Sequence, residues 1–197
     1  MLPYKPSHVL SALVVLCASP LASAATAETP DATLNRGLAE ILSVVKGHPS
    51  NNPAELAKRL RPTLEKFFNF ESLTRKALGA GWKDLTKEQQ TQAVKLFSEI
   101  IIRSYTSKFD PNSQVEIQFA KAQDLGDGRK EVPAAAKYQG KVVAVSYRME
   151  TALEAWRVYD VIVEGVSLAA NYRAQFDSIR QKGGSEALLK AMEDKLK

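Results

Sequence analysis

The sequence predicts an α+β protein in which five to seven helices wrap a twisted antiparallel sheet of about four strands. Residues 30–109 and 167–196 carry apolar residues at helical spacing. Residues 113–164 instead alternate apolar and polar residues between short turns, which is typical of antiparallel strands. The chain has 197 residues, of which 45% are hydrophobic, and this suits one ordinary folded domain.

Residues 1–24 have the pattern of a secretory signal peptide. Lys5 lies in a short polar start, and an apolar run from Val9 to Ala18 follows that is too short to span a bilayer. Ala22-Ser23-Ala24 supplies small residues for cleavage after Ala24. Acylation at Cys17 is not expected, because Leu16 stands where a small residue is required. We therefore expect an exported protein whose single domain is residues 25–197.

The composition of residues 25–197 narrows the chemistry. Removal of the leader takes one Lys, one His and the only Cys, and leaves a net charge of +4. Without a thiol, and with one His, the domain is not expected to use a Cys nucleophile or to bind zinc, and no metal or cofactor is predicted. No apolar run of spanning length remains. Export also argues against nucleic acid as the partner of the basic chain.

Capping signals predict the helices of the first half. Thr29-Pro30 begins a helix that Gly47 ends, and Asn52-Pro53 begins a second helix that Pro62 should kink or split. Asn69 caps a short helix from Phe70 to about Leu78. Thr86 and Gln89 form a capping box for the longest helix, Lys87 to about Lys108.

The middle of the chain predicts strands. Pro133 interrupts the second of them and favours an edge position for it. Apolar residues on both faces of the third and fourth strands predict a sheet covered on both sides. The predicted strands are residues 115–119, 132–138, 142–149 and 156–163. Ser167 then caps a helix, and Gly183-Gly184 separates it from a last helix, Ser185 to Leu196.

Two carboxylates are the only candidates for catalysis that the pattern offers. Asp160 and Glu164 would share one face of an unbroken strand, as paired acids of a hydrolase do. Gly165 is expected to end the strand near Glu164, however, and nearby arginines could pair with either acid. No P-loop, G-x-G-x-x-G or nucleophile motif is present. An exported enzyme is therefore the weaker hypothesis.

The aromatic and aliphatic residues allow two interpretations. They can fill a solid core, or some of them can line a cavity between a curved sheet and the helices. Periodicity does not separate these alternatives, because a filled interior and a hollow one use the same residue types.

Two blocks of sequence resemble the MlaC, or toluene-tolerance, family. The longer block is Trp156–Leu168 (WRVYDVIVEGVSL) followed by Asn171–Phe176 (NYRAQF). The other is Phe68-Asn69-Phe70-Glu71 with Ala77-Leu78-Gly79 and Trp82. Their order, behind a signal peptide, matches that family over most of residues 25–197.

The resemblance implies a fold related to the NTF2-like shape, with an internal apolar cavity. It implies a periplasmic carrier of glycerophospholipid, which moves lipid between an outer-membrane lipoprotein–porin complex and an inner-membrane ABC transporter with an MCE-domain ring. Such a carrier would help to maintain outer-membrane lipid asymmetry. A hopanoid or another hydrophobic compound is the alternative cargo within the family.

Under this hypothesis the alternation pattern selects cavity residues. Arg148 and Arg173 are the candidates for contact with a headgroup at the rim. The predicted cavity lining is Phe70, Trp82, Phe97, Ile101, Tyr105, Val143, Val145, Tyr147, Val158, Val161, Val163, Val166, Tyr172 and Phe176.

Overall fold

The computed structural model describes residues 28–47, 52–107, 116–138 and 140–197. The predicted signal peptide and the predicted start of the first strand at Val115 lie outside these residues. The helices are α1 (Pro30–Gly47), α2 (Pro53–Phe67), α3 (Phe70–Leu78), a 3₁₀ helix (Gly79–Asp84), α4 (Lys87–Thr106) and α5 (Leu168–Asp194). The strands are β1 (Glu116–Phe119), β2 (Gln123–Gly126), β3 (Arg129–Tyr138), β4 (Lys141–Ala152), β5 (Ala155–Val163) and β6 (Val166–Ser167).

The caps that the sequence predicts are formed. Asn52 Oδ1 accepts a hydrogen bond from the Ala54 amide at 3.0 Å, and Asn69 Oδ1 accepts one from the Ser72 amide at 3.1 Å. Thr86 and Gln89 bond to each other's backbone amides at the start of α4. Each cap satisfies amides that the first turn of a helix leaves without partners. The predicted starts of α2, α3 and α4 are confirmed.

Pro62 and the pair Gly183-Gly184 have different effects on their helices. Pro62 does not split α2, because buried residues on either side of it, Leu60 and Phe67, keep one face of the helix packed. The break predicted at Gly183-Gly184 is confirmed in position. Gly184 adopts φ 70° and ψ −163° inside α5, and a positive φ of this kind is accessible mainly to glycine.

The strands form one antiparallel sheet in the order β1-β3-β4-β5-β6, with β2 also paired to β3. The α+β class is confirmed. The sheet has six strands rather than about four, because β2 and β6 are short and carry no apolar alternation to predict them.

The prediction that Pro133 marks an edge strand is wrong, since β3 lies between β4 and the pair β1 and β2. In an antiparallel strand the N–H and C=O of one residue point to the same side. The Pro133 carbonyl accepts a hydrogen bond from the Ala120 amide, so the missing N–H of Pro133 faces the gap between Phe119 and Gln123. The sheet therefore loses no ladder bond at this proline.

One face of the sheet packs on helices, whereas part of the other is open. Ala135, Val142 and Ala144 lie together on that second face and are exposed. The prediction of cover on both faces is therefore wrong over β3 and β4. The apolar run there reflects the preference of β-branched residues for strands and not burial.

The interior contains one tightly filled region between α3, α4 and α5. The Phe97 ring packs edge-on against Tyr172 and Phe176, with centroid distances of 4.9 Å and 5.4 Å. The connection from α2 to α3 lies against the outer edge of β5. There Phe68 forms a parallel bridge with Val158, and the Asn69 amide donates to the Val158 carbonyl at 2.8 Å.

Candidate functional site

A pocket of about 350 Å³ lies between the helix-covered face of the sheet and helices α1, α2 and α4. This volume is near the lower end of the range of about 300–1,000 Å³ that is usual for small-molecule sites. None of the described residues that line it is charged. The lining residues are Leu34, Gly37, Leu38, Ile41, Val45, Leu60, Leu64, Phe67, Phe68, Phe70, Ile101, Ile102, Tyr105, Thr106, Ile117, Phe119, Val145, Tyr147, Val158, Val161, Val163 and Leu168.

The floor of the pocket follows from strand alternation. Val145 pairs with Val163 across β4 and β5, and Tyr147 pairs with Val161, so all four side chains share one face. A bulge interrupts this ladder. Arg148 pairs with Asp160, but the next residue, Met149, pairs with Val158, which leaves Tyr159 as the extra residue.

The bulge places Val158 at the pocket. Residues three apart on a regular strand point to opposite faces. Because Tyr159 is the additional residue, Val158 and Val161 both line the same pocket.

Helix α1 supplies the roof. Leu34, Leu38, Ile41 and Val45 recur at intervals of three and four residues and line one side of the pocket. Gly37 lies on the same side, and a Cβ atom at this position would lie 3.1 Å from the Phe67 ring. The absence of a side chain at Gly37 therefore allows α1 and α2 to approach closely beside the pocket.

Hydroxyl groups are the polar side chains of the pocket. Thr106 Oγ1 donates to the Ile102 carbonyl at 2.7 Å, so this group is satisfied within its own helix. Burial raises the pKa of Tyr147, and burial followed by the proximity of Tyr172 raises the pKa of Tyr105. Both phenols are therefore neutral at physiological pH, and the lining suits an uncharged apolar ligand.

The structure brings eight of the fourteen predicted lining residues to this pocket. They are Phe70, Ile101, Tyr105, Val145, Tyr147, Val158, Val161 and Val163.

The other six lie elsewhere. Phe97, Tyr172 and Phe176 pack against one another in the filled region between α4 and α5. Trp82 lies beneath the Arg75 guanidinium at 5.4 Å, on a different surface. Val166 is 59% exposed on β6, and Val143 does not contribute to the lining.

The two predicted rim arginines also do not line the pocket. Arg148 follows Tyr147 on β4, so it points to the opposite face, where its Nε donates to Glu131 at 3.0 Å. Arg173 Nε donates at 3.0 Å to the Lys76 carbonyl near the end of α3. Each guanidinium thus has a protein acceptor away from the pocket.

Asp160 and Glu164 each bind backbone. The side chain of Asp160 is fully buried, and its Oδ1 accepts from the amides of Val161 at 3.0 Å and Ala169 at 3.1 Å. Its Oδ2 accepts from Ser167 Oγ at 2.7 Å. Glu164 lies beyond the end of β5 with φ 50°, and its Oε1 accepts from the Ala144 amide at 2.6 Å. Asp160 therefore connects β5 to the first turn of α5, and Glu164 holds the turn that follows β5.

Sequence reasoning missed the α1 and α2 sides of the pocket. Their signal was present in the helical spacing of Leu34, Leu38, Ile41 and Val45. That spacing predicted an amphipathic helix but not what the helix covers.

Within the residues that the structure describes, no group of three or more His, Cys, Asp or Glu side chains is arranged to hold a metal ion. No helix in the same part of the chain is both long and apolar enough to cross a membrane.

Comparison with known proteins gives consistent matches. A family model described as MlaC protein matches residues 34–194. The chain is 26% identical over 188 residues to the "Intermembrane phospholipid transport system binding protein MlaC" of Haemophilus influenzae, which covers 91% of this chain and 88% of the relative. It is 25% identical over 180 residues to the "Toluene tolerance protein ttg2D" of Pseudomonas putida, covering 88% of this chain and 83% of the relative.

A solved structure has the same fold. It is a phospholipid-binding protein from Ralstonia solanacearum, determined in complex with a phospholipid, and it superposes with a TM-score of 0.78 at 24% sequence identity. The match covers 85% of this chain and 97% of the Ralstonia chain.

Proposed function

Because the chain belongs to the MlaC protein family, we propose that it is a periplasmic carrier that binds phospholipid by its acyl chains and moves it between membranes. The observation that carries this proposal is the uncharged pocket of about 350 Å³ between the sheet and helices α1, α2 and α4. In this proposal, residues 1–24 are removed on export and residues 25–197 form one lipid-binding domain.

The energetics of acyl chains explain why a carrier needs such a pocket. Transfer of one chain of ~15 methylenes into water costs on the order of 12 kcal/mol, at about 0.8 kcal/mol for each CH₂. The carrier must offset this cost by enclosing the chain. The phosphate is costly to bury without a partner, so it stays in contact with water while the chain is enclosed.

The volume of the pocket limits what it holds in the described conformation. A space of about 350 Å³ lies near the lower end of the range for small-molecule sites, whereas a phospholipid carries two long acyl chains. In this proposal, uptake of a whole lipid moves α1 and α2 away from the sheet, or part of the lipid stays outside the pocket.

Partners are proposed from the same family membership. The Haemophilus relative is named as part of an intermembrane phospholipid transport system. We expect this chain to receive and deliver lipid at an outer-membrane lipoprotein–porin complex and at an inner-membrane ABC transporter with an MCE-domain ring. Its role there would be to maintain outer-membrane lipid asymmetry.

The direct test is the identity of the lipid that stays with the purified protein. Residues 25–197 are purified without detergent from the periplasm and extracted with organic solvent, and the extract is analysed by mass spectrometry. Phospholipid in a fixed ratio to protein is the expected result. A hopanoid in its place would keep the carrier but change the cargo, whereas ligand-free protein from repeated mild preparations would contradict the proposal.

A matched pair of variants ties the lipid to the pocket. Val145→Trp fills the floor of the pocket, whereas Val142→Trp adds the same side chain on the opposite face of β4, where Val142 is 69% exposed. We expect Val145→Trp to fold and lose lipid, and Val142→Trp to keep both. Equal lipid content in the two variants would place the binding site elsewhere.

A further inference from the structure

A second cavity of about 710 Å³ shares Phe68 and Phe70 with the apolar pocket as lining residues. It opens between α2, α3, α4 and the start of β5. We call it the cationic groove, because it is lined by Arg61, Lys87, Lys95 and Arg157.

The positive charge of the cationic groove is only partly compensated. Its two acids are Glu65, which pairs with Arg61, and Glu71, which pairs with Arg75 at 2.9 Å. Arg61 also pairs with Glu99. Among the described residues, Lys87, Lys95 and Arg157 make no ion pair. Three cations of the groove thus have no ion-pair partner in the part of the chain that the structure describes.

Arg157 carries an N–H group without a partner among the described residues. Its Nε is shielded from solvent and has no hydrogen-bond acceptor among the described residues. A shielded N–H without an acceptor is unusual in a folded protein, since it loses water and gains nothing in return. Arg157 also lines the cationic groove, so a change of its rotamer would let an anion bound there supply the missing acceptor.

Two helix starts add to the positive field. Asn69 to Glu71 in the first turn of α3, and Lys87 and Gln90 in the first turn of α4, all line the cationic groove. The start of a helix carries a partial positive charge that favours an anion. The two helix starts therefore add to the attraction of the cations, including Arg157, for a bound anion.

We propose that the cationic groove binds a phosphoryl group, as a phosphate monoester or diester, with Arg157 as the principal donor and Lys87 and Lys95 beside it. A guanidinium presents N–H groups in a planar fork that matches phosphate oxygens, and lysines add point charges. The group can belong to a lipid headgroup or to a free phosphate ester. This site goes beyond the acyl-chain pocket and does not depend on lipid entering that pocket.

The position of the groove connects it to the pocket. Phe68 and Phe70 line both spaces, and their rings stack with centroids 5.7 Å apart. An amphiphile that places its phosphate in the cationic groove therefore has its headgroup next to the apolar pocket, across a wall that includes these two rings.

Fluorescence of Trp82, which lines the groove, reports occupancy in a Trp156→Phe background that removes the other tryptophan. The protein is titrated at constant ionic strength with inorganic phosphate, glycerol 3-phosphate and a short-chain phosphatidylglycerol below its micelle concentration. We expect saturable binding that Arg157→Gln weakens by about tenfold, the scale of one lost charge-assisted contact. Lys95→Gln, on the exposed face of α4, should weaken phosphate binding less. This variant tests the proposal if Arg157→Gln does not fold.

Arg129→Gln is the matched control, since this arginine is partly exposed on β3, pairs with Asp127 and does not line the groove. Binding of both the esters and the lipid supports a general phosphoryl site, and binding of the lipid alone supports a headgroup site. The proposal is overturned if neither the esters nor the lipid binds, or if Arg157→Gln and Lys95→Gln leave the affinity unchanged. An acidic protein segment would then be the remaining ligand for these cations. Val145→Trp should keep phosphate binding, so failure of the lipid-carrier proposal is recognised separately.

Discussion

Replacement of Asp160 should destabilise the fold strongly, because this buried carboxylate connects β5 to α5. Asp160→Ala removes the acceptor of three hydrogen bonds and the partner of Lys76, whose Nζ lies 3.6 Å away. Removing one side of a buried charge pair typically costs about 3–5 kcal/mol. Lys76 is 33% exposed, so water screens its share and the loss comes mainly from the three donors left without an acceptor.

The amide variant separates shape from charge. In Asp160→Asn, Oδ1 can still accept from the Val161 and Ala169 amides, and the amide nitrogen can donate to Ser167 Oγ. The negative charge beside Lys76 is lost, and the Ser167 hydroxyl loses Oδ2 as its acceptor. We therefore expect a cost of about 1–2 kcal/mol, the scale of one hydrogen bond to a charged group.

Thermal and urea unfolding, followed by circular dichroism, measure both variants. Since 1 kcal/mol corresponds to about 2–4 °C in a chain of this size, Asp160→Ala should lower the Tm by roughly 6–20 °C and Asp160→Asn by roughly 2–8 °C. Glu164→Gln is the control, because its amide oxygen can still accept from the Ala144 amide.

Two results would refute this reasoning. An Asp160→Ala protein within about 1 kcal/mol of the wild type would show that the three hydrogen bonds do not hold α5. An Asp160→Asn protein with an unchanged unfolding curve and no biological activity would revive the hypothesis of an exported enzyme that uses Asp160 and Glu164.

Three further predictions concern the pocket and its roof. Gly37→Ala gains about 1 kcal/mol of helix propensity, but its Cβ would lie 3.1 Å from the Phe67 ring. Because this ring borders the open pocket, it can shift into the pocket. The free energy of unfolding in urea should therefore change little, while the amount of co-purified lipid falls. Burial keeps the Tyr147 pKa above its usual value, so at high pH the folded state retains a proton that the unfolded state loses. The free energy of unfolding should therefore fall as the pH rises above about 10. Tyr147→Phe should reduce this loss of stability between about pH 8 and 11. The hydrogen bond from Arg36 lowers the Glu28 pKa, so the stability that this pair contributes is present at neutral pH and lost as the pH falls below about 4. The stability of Glu28→Gln should therefore depend less on pH in acid. An unaltered pH dependence would exclude a role for this pair.

Local signals predicted the elements better than they predicted the pocket. The caps at Asn52, Asn69 and Thr86 act within one turn of a helix, so the sequence is sufficient to locate them. The lining at Val145 and Tyr147 followed from alternation along one strand. The central position of the strand that contains Pro133 could not be predicted in this way. A proline is tolerated there because its missing N–H faces a gap between two other strands.

A filled region and a hollow one could not be distinguished beforehand. Phe97 and Phe70 carry the same apolar signal, yet Phe97 packs against Tyr172 and Phe70 borders the pocket. The difference arises from distances between elements, such as the close approach that Gly37 allows beside Phe67. The β5 bulge is equally hidden, since Tyr159 looks like any other strand residue until its register with β4 is known.

The bridge between Phe68 and Val158 has a consequence for self-association. An uncovered strand edge is a template for aggregation, and here the Asn69 amide occupies the Val158 carbonyl on the side of β5 away from β4. The rings of Phe68 and Phe70, on the same segment, also border the pocket. Any movement that withdraws this segment to widen the pocket would therefore expose part of the β5 edge. Under the proposed carrier function, each uptake of lipid that opens the pocket in this way would briefly allow intermolecular sheet growth.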